Sequence, residues 1–66
     1  MTMTVDTFAE KIFSYIHKQY GKNSLNTVQS ASNKIAVDKL IESSKKQNDT
    51  VEHAANKIVA MLRMNP

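Results

Sequence analysis

Apolar residues recur at intervals of three and four along the first third of the chain. Val5, Phe8, Ala9, Ile12, Phe13, Ile16 and Tyr20 line one face of a helix. Lys11, Lys18 and Lys22 form a basic stripe on the opposite side, and Gly21 is a natural stop because it tolerates a left-handed backbone. A second apolar set divides in two. Val28, Ala31 and Ile35 share one side of a helix, whereas Val37, Leu40 and Ile41 lie nearly opposite. A helix apolar on two sides is central, packed between neighbours. It fades through ESSKKQND, a polar run suited to a loop that holds Lys45 and Lys46. The last stripe is Val51, Ala54, Ala55, Ile58, Val59 and Leu62, with Met61 beside it. The pattern predicts three helices near 5–20, 28–44 and 51–63 in a single domain over 1–66. The expected fold is an all-α three-helix bundle, either up-down-up or orthogonal.

The three stripes also share letters. Lys11, Lys34 and Lys57 recur every 23 residues, each followed by isoleucine, and Thr4-Val5, Thr27-Val28 and Thr50-Val51 keep the same period. Threonine is a good N-cap, since its hydroxyl accepts from an orphaned amide of the first turn. Asp6 and Glu52 then fall where the helix dipole favours a negative charge. The repeat predicts equivalent helix starts near residues 4, 27 and 50. Three amphipathic helices with threonine caps give the same letters with or without duplication.

Composition supports helices. The chain holds one Gly and one Pro, too few for the turns of a sheet protein this small. With no cysteine, disulfides and thiolate metal sites are excluded. A domain of this length buries only about 60% of its unfolded surface, so self-association is an expected aid to stability. No stretch approaches the roughly 20 apolar residues of a membrane span. MTMTVDTFAEK has no basic region leading into an apolar core, so no secretory signal is read there and a cytoplasmic location is expected.

Catalysis needs a constellation, and none can be assembled from these residues. The serines lie in no glycine-flanked elbow, the single Gly excludes a phosphate-cradling loop, and the carboxylates show no calcium-loop spacing. His17 and His53 are too few for a structural zinc site. The expectation is a protein that is not an enzyme, with no cofactor, no metal and no small-molecule substrate.

Residues 20–35, YGKNSLNTVQSASNKI, are similar to the turn and recognition helix of helix-turn-helix regulators in their turn glycine, their Thr-Val start and their small residues. The turn is longer than in that family, and His17 stands where a small residue permits tight crossing. A nucleic-acid reading, DNA or RNA, has Lys11, Lys18, Lys22 and Lys34 neutralising phosphates and the helix-two amides Gln29 and Asn33 able to read adenine. A net charge of +3 and a pI near 9.4 suit that reading. Arg63 is the one side chain able to form a bidentate contact with guanine. Residues 33–62 are also similar to the two-helix, sigma-binding region of flagellar anti-sigma factors, in letters that the repeat explains equally well.

The uncovered second side of helix two points first to a protein-interaction module, a regulator or adaptor that docks on a protein partner or on itself as a homodimer. Tyr15, Val37, Leu40, Ile41 and Met61 are the expected contact residues. The nucleic-acid regulator is the alternative, and a structural subunit assembled through the repeats is a third.

Overall fold

The computed structural model describes residues 4–62, so Arg63, Met64 and Pro66 lie outside the described residues. Four helices are present where the pattern predicts three: α1 (Val5–Tyr20), α2 (Lys22–Val28), α3 (Ala31–Lys46) and α4 (Val51–Met61). All four are α-helical, and no strand occurs among the described residues.

The first helix starts and runs as its stripe predicts, and the last starts at the predicted Val51 but ends at Met61, short of the expected 63. Thr4 caps α1 by accepting from the Thr7 amide at 3.1 Å, and Thr50 caps α4 by accepting from the His53 amide at 3.1 Å. Asp6 and Glu52 occupy the first turns. The middle of the chain differs from its predicted form. Thr27 is not a cap but the penultimate residue of α2, and its hydroxyl donates to the Asn23 carbonyl within that helix. The turn between α2 and α3 is held at the Thr27 carbonyl, on which three donors converge. These are the Ser30 amide at 3.2 Å, the Ser30 hydroxyl at 2.9 Å and the Asn33 side-chain amide at 2.9 Å. Residues 20–35 therefore hold a junction, a seven-residue helix and the first turn of α3, not one long turn leading into a recognition helix.

Gly21 divides α1 from α2 at φ +97°, ψ 171°, a region essentially reserved for glycine. The α3–α4 corner is a Schellman motif. The Asp49 amide reaches back to the Ser44 carbonyl at 3.0 Å and the Asn48 amide to Lys45 at 3.2 Å, with Asn48 in the left-handed region at φ 58°. Because α3 continues to Lys46, Lys45 and Lys46 belong to its last turn and not to a loop.

One core joins the elements. Phe8, Ile12 and Ile16 of α1 meet Val28 of α2, Val37 and Ile41 of α3, and Ala54, Ala55 and Ile58 of α4. Burying one such branched side chain contributes about 1.5–3 kcal/mol. The start of α1 lies beside the end of α3, since Val5 neighbours Glu42, Lys45 and Lys46, while Phe13 neighbours Lys34 and Val37. These two helices are antiparallel. Along α4 the order is reversed: Phe8 lies near Asp49, Tyr15 faces Glu52, and Tyr20 donates to Asn56 at 2.9 Å. The long helices thus run up, down and up, with α2 set into the first crossover.

Candidate interaction face

The helix break at Gln29 and Ser30 changes which side of α3 needs a cover. Ser30 is extended at φ −65°, ψ 150°, so Val28 belongs to α2 and is out of helical register with Ile35. Val28 turns into the core, whereas Ile35 is 73% exposed. Val37 and Ile41 are both 99% buried by the chain's own helices, and Leu40 packs half-buried beside them. This corrects the expectation of contact residues at Val37 and Ile41: neither is on the surface of this fold. Tyr15 is not an exposed anchor either. It is half-buried against the core, and its hydroxyl has its pKa raised by that burial, by the Glu52 charge, by Tyr20 and by a hydrogen bond with Glu52. Met61 is 39% exposed on α4.

The outer face of α3 carries Ile35, Lys39, Glu42 and Lys46 at successive spacings of four, three and four. Its C-terminal half walls an open groove of about 700 Å³ whose other side is Val5 of α1, 42% exposed. Lys39, Lys45 and Lys46 border the groove, with Glu42 and Ser43 between them. None of these three lysines forms an ion pair among the described residues, in contrast to Lys34, bound to Asp38 at 3.3 Å, and Lys57, bound to Asp49 at 2.6 Å.

The expected nucleic-acid contacts scatter in this fold. Lys11 and Lys18 are exposed on α1, but Lys22 lies past Gly21 on α2, so the three do not form a stripe on one helix. Lys34 is paired, and the Asn33 amide is committed to the Thr27 carbonyl, which leaves Gln29 as the exposed amide of the pair.

A polar cluster at the α3–α4 corner was not legible from motifs. Asp49 takes Lys57 on one oxygen at 2.6 Å and His53 on the other at 3.4 Å, with the buried Ser44 hydroxyl as a further partner. The hydrogen bond from Lys57, with help from the Lys57 and His53 charges and from Ser44, holds the Asp49 carboxyl below the usual carboxylate range against the opposing effect of burial. Serine, histidine and aspartate meet here in an order unlike that of a hydrolytic triad. Asp49 stands between the other two, and no hydrogen bond joins Ser44 to His53 among the described residues. The arrangement ties the end of α3 to α4. Among the described residues no three His, Asp or Glu side chains gather as a metal site, and no helix is long and apolar enough to cross a membrane.

No family model matches the chain, and no curated protein or solved structure matches it.

Proposed function

We propose that this chain is a small, non-enzymatic protein-interaction module whose docking surface is the outer face of α3. The observation that supports the reading is Ile35, a large aliphatic side chain 73% exposed in the second turn of a helix whose opposite face packs into the core through Val37 and Ile41. An exposed isoleucine adds nothing to a core, and it stands one turn before Lys39, which borders the groove beside Val5. Helix faces that combine an aliphatic anchor with flanking charge suit recognition of another helix. The site lies one face away from Val37 and Ile41, because these pack inward.

The test is a selection of displayed helical peptides against the intact chain, with binding re-measured on Ile35→Glu. Selected peptides should lose at least tenfold in affinity on that variant, with its helical circular dichroism unchanged. Peptides that bind Ile35→Glu as tightly as the parent chain would refute the face.

A further inference from the structure

We infer that the occupant of this face is an acidic amphipathic segment of another protein, seated between Val5 and the Lys39–Lys46 edge of α3; the inference rests on the docking reading above.

Charge decides among the occupants. The groove presents Lys39, Lys45 and Lys46 against the single carboxylate of Glu42, and none of the three lysines is ion-paired among the described residues. In a chain of net charge +3, a second copy docked face to face would bring the same lysine excess against its own image. A partner with carboxylates on one edge and aliphatic side chains on the other meets both kinds of residue present. Its carboxylates reach the lysine edge, and its apolar side chains cover Ile35 and Val5, the two most exposed large hydrophobic residues of the described chain.

Nucleic acid fits the same face less well. Glu42 interrupts the lysine edge and would stand against a continuous run of phosphates. Among the described residues the groove's far wall is the aliphatic Val5, which offers a phosphate backbone no polar contact. The exposed Ile35 also has no role against a phosphate backbone.

The experiment uses the peptides selected above on the intact chain. Their net charge is read from their sequences, and their affinities are compared on the parent chain, on Lys39→Gln/Lys46→Gln and at raised salt. Both lysines are exposed, so these variants retain the core. The expected result is a set of peptides that is net acidic on one edge and that loses roughly tenfold in affinity when the two lysines are neutralised. Neutral or basic peptides that still depend on Ile35 would overturn the acidic occupant and leave the docking face standing. A parent chain that dimerises through Ile35 in sedimentation would also overturn the inference, with a second copy as the occupant. Peptides indifferent to Ile35, or a duplex DNA that protects this face in their place, would overturn both readings.

Discussion

A Cβ added at Gly21 would meet no atom within 4 Å, yet its φ of +97° with ψ 171° lies where side-chain-bearing residues are strained. The cost of Gly21→Ala is therefore one of backbone conformation, about 1–3 kcal/mol, and chemical denaturation should show that loss with no change in the slope of the transition. Asp49 gives a second test at the same scale. Its carboxyl is held below 3.8, so its stabilising contribution is complete above that value and disappears as pH falls through the lower folded-state value. The acid limb of a thermal-stability profile should flatten in Asp49→Asn. Tyr15 behaves in the opposite sense. Its pKa is raised above 10.0, so stability holds below that pH and falls as pH climbs past it, a loss that Tyr15→Phe should remove.

The helices differ in how much of their form is written locally. In α1 and α4 the cap, the first-turn acid and the stripe all agree, and both are legible from the chain alone. The α2–α3 region is not, because its break rests on polar side chains and not on glycine or proline. Ser30 and Asn33 terminate α2 by bonding the Thr27 carbonyl, and a hydrophobic pattern carries no record of such bonds. A single helix across that break would put Val28 and Ile35 on one apolar side, and the extended Ser30 removes that side. The one local hint was the polar run QSASN itself, which suits a turn with a serine N-cap. The proposed docking face follows from the same break: Ile35 and Lys39 stand out only once α3 begins at Ala31. The threonine repeat offers a direct check. Thr4→Ala and Thr50→Ala should each cost about 1 kcal/mol in unfolding free energy through loss of a cap, whereas Thr27→Ala, which removes only a bond within α2, should cost well under half of that.

At the scale of the whole molecule, the principal extents are 33 × 22 × 16 Å and one small core serves all four helices. A chain of this size has about 3–10 kcal/mol of stability in total. Ile16→Ala or Ile58→Ala, each removing a fully buried side chain, should cost about 2–5 kcal/mol and leave much of the population unfolded near room temperature, as circular dichroism would show. Because α1 and α4 point the same way, Val5 and Met61 mark opposite ends of the bundle. The same geometry makes attachments unequal: a bulky group joined close before Val5 would crowd the groove, and one joined after Met61 would stand at the far end of the bundle.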